Sequence, residues 1–266
     1  MSSLWLHLIA ASLYLAASFY QGYCLWRKNS LNNTFFIVIG FLGLIAHSFA
    51  LFPQVFLPSG LALSFFNAAS LTAITVVAVM LIGCTRMPLQ MLLSPLFAIS
   101  GVTVLLSTFI PAGTVNPIQE HPGILAHILF SILASGMIII AVFQSLLLLN
   151  QEQQLRKRPI SRLIKLFPPL QTMESLLFAF LSAGWLFLSL SLMTGAIYLE
   201  NFLAQHLAHK TLLSCLAWVV FAVLLWGRYR LGWRGHKAIR WTLAGFCLLM
   251  LAYFGSKLVL EYIFPA

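Results

Sequence analysis

Charge is the scarcest commodity in this chain. Only 8% of its 266 residues are charged and only five are acidic, whereas a soluble globule carries about a quarter of its residues as charges. Five carboxylates spread over such a length leave too few ligands for a hard-metal cage or a paired-carboxylate active site. Cysteine is equally sparse: Cys24, Cys84, Cys215 and Cys247 lie far apart and none belongs to a CxxC or CxxCH pair, which excludes a thiol redox motif and a thioether attachment site. No GxGxxG, P-loop, GxSxG or HExxH occurs, so the soluble-enzyme signatures are missing. The N-terminus has neither a basic n-region nor a small-residue cleavage site, and its first apolar run reads as a retained helix.

Apolar sequence fills the space that charge leaves. Hydrophobic residues make up 61% of the chain and the mean hydropathy is +0.97, which places it in lipid. Eight segments are long enough to cross a hydrocarbon core, which takes roughly 20 helical residues. They cover 4–25, 34–52, 61–84, 91–111, 123–150, 172–200, 210–228 and 239–262. Backbone groups in lipid must bond within their own segment, and no alternating ten-residue pattern suggests a barrel. The expected fold is therefore all-α: a polytopic membrane protein of eight helices in a single domain, 1–266, with no internal repeat or soluble domain. The net charge of +10 would suggest nucleic acid in a soluble protein. Here the basic residues sit between apolar spans, where topology and anionic headgroups account for them, so the expected partners are membrane lipids and no nucleic acid.

The stretch from Cys215 to Glu261 fixes the orientation. Two apolar runs flank a turn carrying Arg228, Arg230, Arg234, Lys237 and Arg240, and such a cluster belongs in the cytoplasm. Arg27 and Lys28 after the first span, Arg86 after the third and Arg156, Lys157, Arg158, Arg162 and Lys165 after the fifth fall on the same side. This arrangement puts both termini on the outer, periplasmic side. Trp5, Trp26, Trp226, Trp233 and Trp241 fall at expected interfaces, while Trp185 and Trp218 lie deeper and read as packing residues. The connection from Gln151 to Leu170 interleaves Leu155, Ile160, Leu163, Ile164 and Phe167 with basic residues, so it can lie along the inner surface or dock another protein. Glu174 is expected at the cytoplasmic edge of its span, and Glu120, Glu200 and Glu261 at outer edges, each reaching water.

Histidines break the apolar pattern most informatively. On this topology His7, His47, His121, His127, His206 and His209 lie toward the outer face and His236 alone toward the inner one. His47 and His127 fall roughly 6 to 9 Å inside the outer boundary on separate helices, at 1.5 Å per residue. Two readings stay open: neutral imidazoles gripping one iron porphyrin from opposite faces, or unrelated buried rings held by hydrogen bonds between helices. His206 and His209 stand at i and i+3, a spacing that also suits a solvated loop. The outer start of the third span carries Ser64, Asn67, Ser70 and Thr72, polar groups for a vestibule or for interhelical hydrogen bonds.

Several motifs together resemble the CcsA/HemX cytochrome c assembly family. They are Ala217-Trp218 with its apolar run, Trp226-Gly227-Arg228, Gly232-Trp233-Arg234-Gly235 and Tyr253-Phe254-Gly255. His127 with the ILFSILASGMIII run that follows, and Glu174 through Tyr198 with Gly184 and Thr194-Gly195, extend the likeness; His47, the Pro58 region and Asn67 resemble the family less specifically. The resemblance implies haem handling in a bacterial inner membrane, with haem b held by His127 and His47 as axial ligands to its iron. The family's synthases carry a Trp-rich outer loop ending in Trp-Asp, but the stretch in that place is NFLAQHLAHK. Trp226 stands where a second membrane histidine is expected, and no histidine lies near Pro265. The resemblance thus implies a haem-handling or cytochrome-maturation protein short of a complete haem lyase, with no catalytic residue assigned. The alternative is a scaffold or regulator of the same fold that binds no haem and docks a membrane or cytoplasmic partner through its basic loops.

The charge rule makes a direct prediction. Alkaline phosphatase fused after residue 118 should be active in the periplasm, whereas fusions after residues 160 and 234 should be inactive and green fluorescent protein at those two sites should fluoresce. The reverse pattern would invert the topology.

Overall fold

The structure is a computed structural model and describes residues 2–27, 31–87, 89–110, 118, 121–156, 168–198 and 205–255. Helices dominate: α1 (Ser2–Arg27), α2 (Asn33–Val55), α3 (Phe65–Cys84), α4 (Gln90–Phe109), α5 (Pro122–Arg156), α6 (Leu170–Tyr198), α7 (Gln205–Leu231) and α8 (His236–Met250). Seven of them, α1 to α7, are long and apolar enough to cross a membrane. The eighth expected span, 239–262, is described as α8 followed by a π-helical turn over Leu251–Gly255, and its remainder lies outside the described residues. Two compact units emerge from the packing, Met1–Glu120 and His121–Phe264.

In the first unit, α1 packs on α2 and α4, and α3 on α2 and α4. Asn32 caps α2 by accepting the Phe35 N–H at 3.1 Å, and Ser64 does the same for α3 with the Asn67 N–H at 3.2 Å, each satisfying an otherwise orphaned donor. Between these helices the chain forms a short hairpin of β1 (Phe56–Leu57) and β2 (Gly60–Leu61), turned at Gly60 with φ 124°. The expected third span, 61–84, therefore starts later, at Phe65, because Ser64 breaks the run. The core stacks Tyr14 on Phe97 at 5.5 Å and sets Phe36 against Phe97 at 5.4 Å. Gly40 and Gly43 make room for it, since a Cβ at the former would meet the Phe97 ring and at the latter the Tyr14 ring. Outward, Phe19, Phe49 and Phe109 are largely exposed, as lipid-facing side chains must be.

In the second unit, α5 and α6 run antiparallel: Gln144 donates to the Met173 carbonyl at 2.9 Å, and Gln151 to that of Pro168 at 3.0 Å. α7 and α8 close the bundle over a core that includes Ile138, Leu177, Leu181, Phe221 and Leu224. Trp185 and Trp218 stack at 5.3 Å in this interior, and Trp218 Nε1 donates to Ser189 Oγ at 2.7 Å. The Trp185 Nε1 is buried with no partner among the described residues. α5 continues through Gln151 to Arg156, well past its expected end at 150. The amphipathic stretch read beyond it, 157–167, lies outside the described residues.

The α7–α8 turn is built rather than loose. Gly232 and Gly235 take left-handed φ values of 64° and 52°, open to glycine at no steric cost. The Trp233 indole lies against Gly227, and the Trp233 backbone N–H donates to the Gly227 carbonyl at 3.1 Å. Arg228 Nη1 reaches the Trp233 carbonyl at 3.4 Å, and its guanidinium sits 4.6 Å from the Phe178 ring centre. Glu174 corrects the sequence reading: it is 13% exposed and faces Arg228 and Arg234 at 3.7 and 3.8 Å instead of simply reaching water. A carboxylate this deep is held by opposite charge because solvation alone is insufficient there.

Two stability predictions follow from these contacts. Gly40→Val forces the Phe97 ring aside and should lower stability by about 1–3 kcal/mol, read from thermal unfolding in detergent. Glu174→Gln leaves Arg228 half-buried without its counter-charge, at a cost on the order of 1–2 kcal/mol, between exposed and fully buried ion pairs; an unchanged melting temperature would remove the pair from the account.

Candidate functional site

His127 is the sixth residue of α5, where α5 meets the C-terminal end of α6. Its Nδ1 lies 2.8 Å from the Ser191 backbone carbonyl. A carbonyl only accepts, so Nδ1 carries the proton and Nε2 keeps its lone pair. Ser131, one turn on, donates to the His127 carbonyl at 2.7 Å and meets Ser191 Oγ at 2.7 Å. Thr194 also donates to the Ser191 carbonyl, at 3.0 Å. An imidazole held at Nδ1 by a carbonyl, presenting a basic Nε2, is the arrangement that metal-ligating histidines use. Nearby at this end of the unit, His121 lies 5.6 Å from the Tyr198 ring, and Gly123 is seated against that ring.

His47 belongs to the first unit and lies on the buried face of α2. It is 0% exposed. Neither ring nitrogen has a hydrogen-bond partner among the described residues, and neither do Tyr14 Oη and Ser70 Oγ. The Tyr14 and His47 rings meet edge to face at 5.9 Å. Leaving a buried donor or acceptor unsatisfied costs about 1–3 kcal/mol, so these atoms mark a place that packing alone does not explain. His7 is buried as well, at 1%. Its Nε2 lies 3.3 Å from Gln54 Nε2.

The remaining expected residues divide clearly. Asn67 donates to the carbonyls of Gln54 and Ala62 at 3.3 and 3.1 Å, so it stitches α3 to the end of α2 and the hairpin. His209 is exposed, and the side chain of His206 lies outside the described residues. His236 pairs with Glu152 at 3.5 Å. At that end of the second unit a cleft of about 470 Å³ opens between Glu152, Leu155, Leu170, Glu174, Arg234 and His236. Twenty-five residues of α5 separate Glu152 from His127, roughly 38 Å along the helix axis.

A neutral imidazole nitrogen is what each histidine would bring to an iron porphyrin. His127 has its tautomer fixed with Nε2 basic, and His47 has two unspent nitrogens in an apolar setting. No cluster of three or more His, Cys, Asp or Glu side chains occurs among the described residues, so a metal held by three or more protein ligands has no site there. Sequence reading found both histidines but missed the partners of His127. Ser131 was accessible from its i+4 spacing, whereas Ser191 is 64 residues away and carried no signal. Tyr14 was missed because a tyrosine in a membrane helix usually reads as an interfacial residue.

Comparison with known proteins agrees with the motifs. The family profile described as "Cytochrome C assembly protein" matches residues 35–264. The chain is 34% identical over 242 residues to the inner membrane protein YpjD of Escherichia coli strain K12, covering 90% of this chain and 91% of that protein. It is 26% identical over 162 residues to the protein HemX of Brevibacillus brevis, covering 59% and 60% of the two chains. Against the cytochrome c biogenesis protein CcsA of Prochlorococcus marinus strain NATL1A it is 27% identical over 95 residues, 35% of this chain and 30% of that one. No solved structure matches the chain. Seven membrane-length helices, the Trp-Gly-Arg and Gly-Trp-Arg-Gly turn that joins α7 to α8, and a profile match over most of the length converge on one conclusion: this is a multi-pass bacterial inner-membrane protein belonging to the cytochrome c assembly family.

Proposed function

We propose that this protein binds haem b toward the outer side of the membrane, with His127 in the second unit and His47 in the first as the candidate iron ligands, and that it works in haem handling or cytochrome c maturation short of joining haem to an apoprotein. The observation that carries this reading is the fixed tautomer of His127: its Nδ1–H is spent on the Ser191 carbonyl at 2.8 Å and Nε2 is left basic. Ser131 bridges α5 to Ser191 at 2.7 Å and steadies the same backbone. His47 supplies a second imidazole whose nitrogens have no competing partner among the described residues. Bound haem would add a redox-active iron; the protein's contribution would be a neutral imidazole nitrogen within an apolar helical bundle. The stretch NFLAQHLAHK contains no tryptophan, which supports haem binding without the Trp-rich presentation loop of the synthases.

A second reading has its own support. The charged cleft at the far end of α5, beside the stiffened basic turn, suits docking of another protein. In that case the fold acts as a membrane scaffold or regulator and needs no haem.

The two readings separate in one set of measurements. Haem-supplemented wild type should show a Soret band and a pyridine haemochrome spectrum of the b type, and His127→Ala and His47→Ala should each reduce haem content several-fold. Wild type without a Soret band would end the haem reading. The scaffold reading instead expects both alanine variants to complement a deletion strain, while neutralising Arg156, Lys157, Arg158 and Arg162 together abolishes complementation.

A further inference from the structure

Carboxylates are rare in this chain, five against fifteen lysines and arginines, yet two of the five line one cleft. Glu152 and Leu155 come from the last turns of α5, Leu170 and Glu174 from the first turns of α6, and Arg234, Gly235 and His236 from the turn into α8. All of them belong to the second unit. The space between them is about 470 Å³.

The two carboxylates are not equally served. Glu174 faces two guanidinium groups, but both contacts use its Oε2, and Oε1 has no partner among the described residues. Glu152 has less. Its side chain is only 18% exposed, and its one ion-pair partner among the described residues is the His236 imidazole at 3.5 Å, which is charged only when protonated. A carboxylate drawn this far out of water needs a full positive charge beside it. No lysine or arginine among the described residues supplies one to Glu152.

The contacts across the cleft are also long. Direct hydrogen bonds between charged groups run at about 2.7–2.9 Å, whereas these separations are 3.5, 3.7 and 3.8 Å. The charged groups face one another without closing the gap. Glycine keeps it open, since a Cβ at Gly235 would lie 2.9 Å from Glu152 Oε1.

A cation entering from outside would complete this arrangement, and the walls define its form. Leu155 and Leu170 offer apolar surface to an aliphatic stem. The carboxylates project from separate helices, so the three donors of a compact ammonium match them better than the paired donors of a guanidinium, which suit one carboxylate. On and beside the turn, Arg230, Arg234, Lys237 and Arg240 are exposed. They repel a uniformly basic segment and attract an acidic one.

We propose that this cleft receives a single lysine carried on an acidic segment of a soluble partner protein. The ammonium sits with Glu152 and Glu174, the stem lies along Leu155 and Leu170, and the flanking carboxylates meet the basic turn. The partner so described rests on the docking role proposed for the same cleft and is independent of haem.

The test uses the full chain in dodecyl maltoside at low salt and a fluorescein-labelled, C-amidated peptide, Glu-Asp-Leu-Lys-Leu-Asp-Glu, followed by anisotropy. The peptide should bind, and acetylating its lysine, or replacing its four acids by their amides, should each weaken binding about tenfold. Glu152→Gln should weaken the lysine peptide about tenfold and leave the acetyl-lysine peptide unchanged, which ties the ammonium to that carboxylate. No binding by wild type, equal binding of the lysine and acetyl-lysine peptides, or undiminished binding by Glu152→Gln would each overturn the lysine site. Displacement of the peptide by added phosphatidylethanolamine would give the cleft to a lipid headgroup and overturn it too. If the peptide binds as expected while the variant with a neutralised basic connection still complements, the scaffold role fails and the lysine site stands.

Discussion

Everything in this molecule answers to one constraint: inside hydrocarbon there is no water to satisfy a polar group, so each must find its partner within the protein. The backbone obeys by being helical. Hydroxyls obey by bonding back to their own helix, as Thr72 does to the Ala68 carbonyl at 2.9 Å and Thr194 to that of Leu190 at 2.8 Å. Against that discipline, the few groups that reach across helices or reach nothing stand out. Two of them are the residues proposed for chemistry, His127 at Ser191 and His47 beside Tyr14, while others, such as Gln144 on the Met173 carbonyl and Trp218 on Ser189, simply join helices.

The same constraint accounts for the division of labour between the ends of the second unit. Near the start of α5 the polar groups are neutral, an imidazole and hydroxyls sharing two carbonyl oxygens. Near its end stand charged groups, with Glu174 against two guanidinium groups and Glu152 beside His236. Neutral pairs survive at depth because separating them from water costs comparatively little. Ion pairs belong where headgroups and water still reach, and Arg234 accordingly remains 65% exposed while it faces a largely buried Glu174.

The sequence disclosed most of the fold, because twenty apolar residues in a row leave few alternatives in lipid. It was silent wherever local preference and environment disagreed. The hairpin at Phe56–Leu61 went unseen because its strands are two residues each and apolar, so they read as part of the neighbouring spans. The last turns of α5 went unseen because Gln151 to Arg156 look like a loop by hydropathy, although Gln, Glu, Leu and Arg are good helix formers. For the site, the two histidines were legible as polar residues out of place. Their surroundings were not, since Ser191 meets His127, and Arg228 meets Glu174, only after distant helices have been brought side by side.

The length of α5 carries a consequence of its own. At 35 residues it measures about 52 Å, while a bilayer including its headgroups is about 40–45 Å thick. A helix of that size overhangs the membrane unless it leans steeply. The overhang lifts the Glu152 end of the helix above the lipid phosphates, like a mast, and leaves its last turns in water.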